Sequence, residues 1–437
     1  MAKLLRLLRV AFGMSLVLFP IANAVAGGSH EQGAAQGEQI TLQFMQPYGD
    51  QAKWQGLFDK FTALHPTIHV QQRVITGGAA TYQEVLKTAL ASGTGPDYFM
   101  EWGGNLGGSI VSSGHVLPLN SYYAKYDWEK ELVPWAYHQV VENGRLFGKG
   151  DNIYGVPVST QAIAFWYNKV LWNKLGLTVP KTYQELEQLN TKVKAAGIYP
   201  LTLGGRYDWM TMRLFDYLLE VTAGPKLHDQ LLNMKADWDR PEVVQAFTLF
   251  KKWVDNWIVP GFLNTQPQDS HLPMYQGHAL YTIEGPWMAS TLVSDGQNPA
   301  DYDFFIYPTD HTPARAEGFI EQFMINGDKP KANQVAAAEL LNWFIKPATQ
   351  AERLKIHSST ATLNVPVDKA KYPLLAESIS TLAKLPDTWL ILDQSFPEEP
   401  LHGYFRAQDD LAAGTITPEQ AAKEVQRAIE KYKAENK

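Results

Sequence analysis

The sequence predicts an α/β fold with more than one lobe, and three observations indicate it. The runs ITLQFMQ, IHVQQRV and YFMEW are separated by two segments with helical periodicity, an order typical of a parallel α/β unit. The stretch YGVPVSTQAIAFWYN is almost continuously apolar, as a strand buried on both faces would be. The chain has 437 residues, 45% of them hydrophobic, which is too long for one small domain.

Helical periodicity defines the next elements in order. The first helix is predicted to end before Pro66, and the second precedes the turn SGTGPD. In the last helix, Thr417 is the expected N-cap and Pro418 occupies the first turn. The predicted apolar faces are Trp54, Leu57, Phe58, Phe61 and Leu64; Tyr82, Val85, Leu86, Ala89 and Leu90; Val243, Val244, Phe247, Phe250, Trp253, Val254 and Trp257; Val335, Leu340, Leu341, Phe344 and Ile345; and Ala421, Val425 and Ile429.

The stretch FWYNKVLWNKLGLTVPKTYQEL joins a strand to two helices. Thr182 and Glu185 form a T-x-x-E capping box for the second of these helices. Because Trp172 and Tyr183 fall on helical faces, we expect them to be packing residues. Trp166 lies in the strand, whose end can open on a cleft, so its role stays open.

Residues 1–26 have the features of a secretory signal peptide. Three basic residues precede an apolar run too short for a lasting membrane span, and alanines spaced A-x-A follow. The alternative, an amphipathic surface helix, needs more polar residues than 10–25 contains. We expect cleavage after Ala24 or Ala26 and a flexible mature terminus over 27–38.

Composition excludes several classes of function. The sequence contains no cysteine, which excludes disulfides, thiolate metal sites, a thiol nucleophile and a lipid-anchoring cysteine. An exported chain without such an anchor fits the bacterial periplasm. Removing the three positive charges of the signal changes the net charge from −7 to −10. An acidic chain without basic runs is a poor candidate for binding nucleic acid or anionic membranes.

The common chemical motifs are incomplete. GRLFGKG lacks the spacing and the Ser or Thr of a phosphate loop, and GGNLGG is interpreted as a flexible turn because no clear helix or acidic partner follows. The histidines form no H-E-x-x-H pair, which disfavours a zinc site, and no G-x-S-x-G elbow occurs. Paired carboxylates for glycoside hydrolysis stay open because their separation is spatial. We predict no cofactor and no metal.

Seven segments, in order, resemble the family 1 extracellular solute-binding proteins of ABC importers, those that capture sugars. The segments are LFDKFTALHPTIHV, ALASGTGPDYFME, YGVPVSTQAIAFWYNKVLWNKLGLTVPKTYQEL, MYQGHALYTIEGPWMAS, EGFIEQFMING, AAELLNWFIKP and GTITPEQAAKEVQRAIEK. The resemblance implies a two-lobed periplasmic binding protein fold, with a ligand cleft between the lobes and several hinge crossings. The implied crossings are Ser159–Ala164 and Glu317–Gly318. The implied lobes are residues 39–158 with 318–358 and residues 159–317 with 359–437.

A sugar site needs flat aromatic rings for the apolar faces of pyranoses and fixed polar groups for their hydroxyls. Trp102 ends the third strand, GGRYDWM is a glycine-led loop of polar and aromatic residues, and Trp287 follows a Gly-Pro break. In the resembled family, the tryptophan of the last motif often faces the sugar. For each candidate the alternative is an ordinary buried or exposed residue. The predicted ligand-binding residues are Gln46, Tyr48, Trp102, Arg206, Tyr207, Asp208, Trp209, Trp287 and Glu317.

The leading hypothesis is a monomeric sugar-binding component of an ABC import system. It captures a mono- or oligosaccharide by lobe closure and delivers it to inner-membrane permease subunits, without catalysis and without nucleic acid as a partner. One alternative is an exported carbohydrate-active enzyme, either a glycoside hydrolase or a lyase. Another is the same fold with a glycerol-phosphate-type or other anionic ligand, which Arg206 allows and the acidic net charge opposes.

Overall fold

The computed structural model describes residues 39–76, 79–311, 314–382, 384–385 and 387–436. The predicted signal peptide and the flexible mature terminus lie outside these residues. Within them, ten strands form two sheets. The strands are β1 (Ile40–Gln46), β2 (Ile68–Val74), β3 (Tyr98–Trp102), β4 (Gly155–Ala162), β5 (Ala164–Asn168), β6 (Tyr199–Thr202), β7 (Ala279–Glu284), β8 (Tyr302–Ile306), β9 (Ala316–Ile325) and β10 (Thr388–Leu390).

The helices flank these sheets. The ninth helix changes direction at Gly224, whose φ of 70° lies in the left-handed region that favours glycine, and Pro225 follows it. The α-helices are α1 (Gln51–Leu64), α2 (Ala79–Ala91), α3 (Gly104–Ser112), α4 (Asn120–Tyr126), α5 (Trp128–Glu131), α6 (Pro134–Phe147), α7 (Lys169–Lys174), α8 (Tyr183–Ala195), α9 (Trp209–Leu232), α10 (Pro241–Asn256), α11 (Leu272–Tyr275), α12 (Met288–Ser294), α13 (Lys331–Phe344), α14 (Pro347–Arg353), α15 (Pro373–Leu382), α16 (Leu392–Ser395), α17 (Glu398–Ala413) and α18 (Pro418–Glu435).

The first sheet is built on the predicted parallel unit. β1 pairs in parallel with β2 and with β3, as the strand and helix order predicted. β9 then joins β3 in the antiparallel direction and carries β4 on its other edge. β10 pairs in parallel with the start of β9. The ten residues of β9 are all buried, and the strand pairs with β3, β4 and β10, so it is the centre of the sheet.

The second sheet has the order β6-β7-β5-β8. The almost continuously apolar stretch YGVPVSTQAIAFWYN is buried throughout β4 and β5, but it is two strands rather than one. Only Ile163 separates them, and its backbone N–H donates to the carbonyl oxygen of Glu317. The chain therefore leaves the first sheet and enters the second at Ile163.

Each sheet has its own hydrophobic core. Phe44, Phe58 and Phe323 belong to the core of the first sheet, whereas Phe165 and Phe215 belong to the core of the second. The half-buried Trp102 packs against both of these cores and against a third, smaller cluster under α2. The end of β3 therefore lies where the two sheets come together.

Most predicted helical faces are confirmed, with corrections at two positions and at one predicted turn. Leu64 and Val335 are exposed, so they do not belong to the buried faces assigned to them. GGNLGG is not a flexible turn, because α3 begins at Gly104 inside it. Trp172 and Tyr183 are buried packing residues, as predicted.

The two predicted helix caps differ in detail. Thr182 accepts a hydrogen bond from the backbone N–H of Glu185, but the Glu185 side chain accepts from Lys181 instead of Thr182. The predicted reciprocal capping box is therefore incomplete at α8. At α18, Thr417 caps the helix as predicted, and Gln420 completes a full capping box.

Candidate functional site

The β4–β9 ladder presents one polar face. Ser159 is paired with Glu321, and Gln161 with Phe319. Because side chains alternate along a strand and paired residues point to the same side, these four share one face with Glu317. We call the five residues Ser159, Gln161, Glu317, Phe319 and Glu321 the β4–β9 strip. It runs from the middle of the first sheet to the start of β9, where the chain arrives from the second sheet.

A buried charged group forms the first-sheet end of the strip. The Ser159 hydroxyl donates to the Glu321 carboxylate, and the nitrogens Nη2 of Arg353 and Nε2 of His357 lie 3.9 and 3.6 Å from it. Burial opposes ionisation of Glu321, but His357 and Arg353 hold its pKa below the usual range. Burial lowers the pKa of His357 to about 4 despite the nearby carboxylate. The imidazole is therefore neutral at pH 7 and can donate or accept hydrogen bonds.

Tyr48, a predicted ligand-binding residue, lies beside this group. Its ring stacks on Trp54 with a centroid separation of 5.9 Å and meets His357 edge-on at 5.3 Å. Burial and the charge of Glu321 raise the pKa of the Tyr48 hydroxyl. Gln46, also predicted, is fully buried in β1, and its Nε2 donates to Oε1 of Gln72 at 2.6 Å. Tyr48 thus reaches the strip, while Gln46 is held within the first sheet.

Trp287 lies at the second-sheet end of the strip. Its ring centroid is 6.3 Å from that of Phe319, and its indole Nε1 donates to Oε2 of Glu284 at 2.9 Å. The sequence EGPW explains this position, because a Cβ on Gly285 would lie 2.1 Å from an atom of the Trp287 ring. Glycine therefore lets the indole fold back over the end of β7. The half-buried ring is fixed on its polar edge and faces Phe319.

Arg213 is a candidate site residue that the sequence analysis did not predict. Its guanidinium lies 4.3 Å from the ring centroid of Trp209 and 5.0 Å from that of Trp287, so it contacts two of the predicted aromatic residues. Nη1 of Arg213 also donates to Oε2 of Glu284 at 2.9 Å. The spacing of Trp209 and Arg213, four residues apart at the start of α9, is the one sequence signal that could have found it.

Glu317 is fully buried where β9 begins. The Tyr307 hydroxyl donates to its Oε2 at 3.1 Å. Burial and the charge of Asp216 raise the pKa of Glu317 well above the usual carboxyl range. Burial also raises the pKa of Asp393, on α16, to about 6. A protonated Glu317 can donate a hydrogen bond as well as accept one.

Several buried polar atoms at this site have no hydrogen-bond partner within the described part of the chain. Four of them are Oε1 of Gln161, Oε1 of Glu317, Nε of Arg213 and Nδ1 of His357, and we refer to these as the four open atoms. Buried polar groups are nearly always paired in native proteins, because an unpaired one costs about 1 to 3 kcal/mol. Ordered water or a polar ligand can supply such missing partners.

The remaining predicted residues lie apart from the strip. Arg206 and Tyr207 are exposed, and the Tyr207 hydroxyl lies 3.4 Å from Oε1 of Gln266. Asp208 faces Asp409 of α17, and burial together with that second carboxyl raises its pKa to about 7. The structure therefore brings Tyr48, Trp287 and Glu317 to the strip, with Trp102 at the junction of the cores. Trp209 contacts Arg213, and the GGRYD loop lies outside.

A separate groove of about 640 Å³ lies between α6 and the end of α9. Of the described residues that line it, none is among the nine predicted ones. Over the residues that the structure describes, His, Asp and Glu side chains form no group of three or more suited to a metal ion. None of the helices in the described ranges combines the length and hydropathy needed to cross a bilayer.

Comparison with known proteins identifies the family. The profile of the bacterial extracellular solute-binding protein family matches residues 47–351. The chain belongs to this family. The structural alignment with a solved "Chitin oligosaccharide binding protein" covers 90% of this chain and 99% of that protein, with a TM-score of 0.77 and 22% identity. This likeness confirms the predicted α/β fold, which is that of the two-lobed solute-binding proteins.

Two curated relatives agree with this assignment. An ABC transporter extracellular-binding protein of Pyrococcus horikoshii is 24% identical over 299 residues, which are 66% of either chain. The "Probable sugar-binding periplasmic protein" of Mesorhizobium japonicum is 27% identical over 273 residues, or 61% of this chain and 62% of the relative. The alignments thus span 66% or less of these relatives.

Proposed function

We propose that this solute-binding protein is the sugar-binding component of an ABC import system. The observation that carries the proposal is Trp287, a half-buried ring held by Glu284 and Arg213 beside the β4–β9 strip. A flat ring can stack on the apolar face of a pyranose, while the four open atoms can bond to its hydroxyls. The relatives named for sugars and chitin oligosaccharides support the same ligand class.

The proposal includes closure of two lobes on the sugar. The lobes are residues 39–158 with 318–358 and residues 159–317 with 359–437. The change of sheet at Ile163 supports a crossing inside Ser159–Ala164. An isolated β-bridge joins Thr362 to Leu132, which belongs to the first lobe. This pairing favours extending the first lobe a few residues past 358. Phe319 and Glu321 of the strip belong to the first lobe and Trp287 to the second, so the closed form is the one in which a ligand would touch both lobes.

Cellular location and partners belong to the same proposal. We assign the chain to the bacterial periplasm, after removal of residues 1–26, as a monomer that delivers its sugar to inner-membrane permease subunits. Amino-terminal sequencing of protein recovered from a periplasmic fraction tests the cleavage. A mature chain that still begins at Met1 would contradict it.

A thermal-shift screen tests the ligand class. The panel contains neutral mono- and oligosaccharides, among them galactose, maltose, raffinose and chitin oligosaccharides, together with glycerol 3-phosphate as the anionic alternative. A saccharide at 100 times its Kd is expected to add about 2.7 kcal/mol of stability. A shift with glycerol 3-phosphate alone would favour the anionic ligand, and no shift with any saccharide would contradict the proposal.

Catalysis is the remaining alternative. A glycoside hydrolase needs two free carboxyl groups beside the sugar. Glu284 is bonded to Arg213, Trp287 and His271, which opposes such a role for it. Incubation of the purified protein with its best saccharide, followed by product analysis, separates the two classes. Product beyond one equivalent would mean that the chain is an enzyme.

A further inference from the structure

Glu284, the last residue of β7, is a shared acceptor for three side chains. Its Oε2 accepts from Nη1 of Arg213 and from Nε1 of Trp287, and its Oε1 lies 2.9 Å from Nε2 of His271. These donors come from α9, from the loop before α11 and from the turn before α12. One carboxylate therefore joins the end of β7 to α9, to the loop before α11 and to the turn before α12.

Burial makes this acceptor rigid. The side chains of Glu284, Arg213 and His271 are 2%, 6% and 6% exposed, whereas Trp287 is only half-buried. The backbone is tied down as well, because Trp166 Nε1 donates to the Glu284 carbonyl oxygen at 2.8 Å. Burial opposes ionisation, but His271 and Arg213 lower the pKa of Glu284, so the acceptor is a carboxylate at pH 7. Charge-assisted hydrogen bonds of this kind are about twice as strong as neutral ones.

The same carboxylate acts on two aromatic residues of the candidate site, Trp287 and Trp209. It bonds directly to the indole of Trp287, and it bonds to Arg213, whose guanidinium lies against the rings of Trp209 and Trp287. Without Glu284, the Trp287 indole would lose its anchor and Arg213 would lose its counter-charge. Preorganised groups bind more tightly because less side-chain freedom is lost on binding.

We infer that Glu284 is a positioning residue for sugar binding, which fixes the orientation of Trp287 directly and of Trp209 through Arg213. This inference rests on the proposed function for its consequence, but the positioning itself is a property of the free protein. It can be measured whether or not any sugar binds. The two parts can therefore fail separately.

The first test is spectroscopic and uses no ligand. In the ¹⁵N-labelled full chain, the Trp287 indole N–H signal is assigned by its loss in Trp287→Phe. In Glu284→Gln we expect this signal to move and its exchange with solvent to speed up by about 10-fold or more, because the charge-assisted bond is gone. Glu284→Asp keeps the charge but is one methylene shorter, so it should give an intermediate change and serves as the second variant if Glu284→Gln does not fold.

Glu220→Gln is the matched control. Glu220 is also fully buried, and it accepts from Arg315 Nη2 at 2.9 Å and lies 2.7 Å from His228 Nδ1, but it is not bonded to Trp287. Its substitution should lower the melting temperature and leave the Trp287 indole signal in place. An equal movement of that signal in Glu220→Gln, or none in either Glu284 variant, would overturn the inference.

The second test measures binding. With the saccharide of the panel that gives the largest thermal shift, Glu284→Gln should weaken binding by about 10-fold or more, and Glu220→Gln by less than about 3-fold. An unchanged Kd in Glu284→Gln, with a displaced indole signal, would show that Glu284 orients Trp287 without serving sugar binding. If no saccharide binds the wild type, the proposed function fails, and the indole signals alone decide the positioning role.

Discussion

Phe319 of β9 and Trp287 lie 6.3 Å apart, measured between ring centroids. The first residue belongs to the central strand of the first sheet, and the second follows the last residue of β7 in the second sheet. The contact places the EGPW turn at the end of the β4–β9 strip. Under the proposed function, Trp287 is the aromatic platform at this end of the strip.

Replacing Trp287 by alanine tests the platform. Loss of apolar burial and stacking should weaken saccharide binding by roughly 1 to 3 kcal/mol, or about 5- to 150-fold, with little change in melting temperature. Trp253→Ala is the control, because Trp253 is fully buried in the core of the second sheet. That variant should lose about 3 to 5 kcal/mol of stability. Calorimetric titration and melting of both variants decide the matter, and a core-like loss with unchanged affinity in Trp287→Ala would contradict the platform role.

Lobe closure predicts a change in overall size. If Ser159–Ala164 and Glu317–Gly318 act as hinges, a bound saccharide shifts the population toward the closed form, because only that form contacts it from both sides. Small-angle scattering should then give a smaller radius of gyration at saturation. A non-binding sugar from the same panel is the control. Identical profiles with and without the binding sugar would exclude these hinges.

His228 predicts a loss of stability at alkaline pH. It is fully buried, with Nε2 2.8 Å from Oδ1 of Asp216 and Nδ1 2.7 Å from Oε2 of Glu220. Burial opposes its charge, but these two carboxylates raise its pKa to about 9. The folded state therefore holds a proton that the unfolded state has lost above about pH 6.5, so the free energy of unfolding falls as the pH rises toward about 9.

The size of that loss is on the order of 3 kcal/mol. Glu220 contributes to the pH dependence of stability at acid pH. Although burial opposes it, His228 and Arg315 lower the pKa of Glu220 to about 2, so its contribution is present above about pH 4.5 and is lost as the pH falls through 2. Urea unfolding at several pH values should show the alkaline loss in the wild type and a flatter profile in His228→Gln. The same slope in both proteins would mean that another group is responsible.

The two helix caps predict different losses of stability. Thr417→Ala removes the side-chain half of a complete capping box at α18 and should cost about 1 kcal/mol. Thr182→Ala removes one hydrogen bond to the Glu185 N–H, while Glu185 still bonds to Lys181. Thr417→Ala also removes the hydrogen bond that the Thr417 hydroxyl donates to Oε2 of Glu419 at 2.7 Å, so the cost of Thr182→Ala should be the smaller of the two. Urea unfolding of both variants measures the difference, and a larger loss at Thr182 would contradict this ranking.

The sequence by itself determined the local elements. Strands β1, β2 and β3 begin and end as their apolar runs predicted, because the alternation or continuity of buried side chains is a local property. The buried faces of the helices were equally predictable. The exceptions are Leu64 and Val335, which fit the helical period but are exposed. Trp287 and Trp209 could be proposed as ligand-binding residues because aromatic residues that follow glycine or Gly-Pro turns are recognisable in the sequence.

Only the tertiary structure decided what those residues touch. Arg213 and Glu284 are 71 residues apart in the chain, and Ser159 and Glu321 are 162 apart, so neither pair leaves a sequence pattern. The division of one apolar stretch at Ile163 depends on which strands pair with each half, namely β9 on one side and β7 with β8 on the other. Periodicity reports whether a side chain is buried, but hydrogen bonding and ion pairing depend on its neighbours in space. Those neighbours are set by the packing of distant elements.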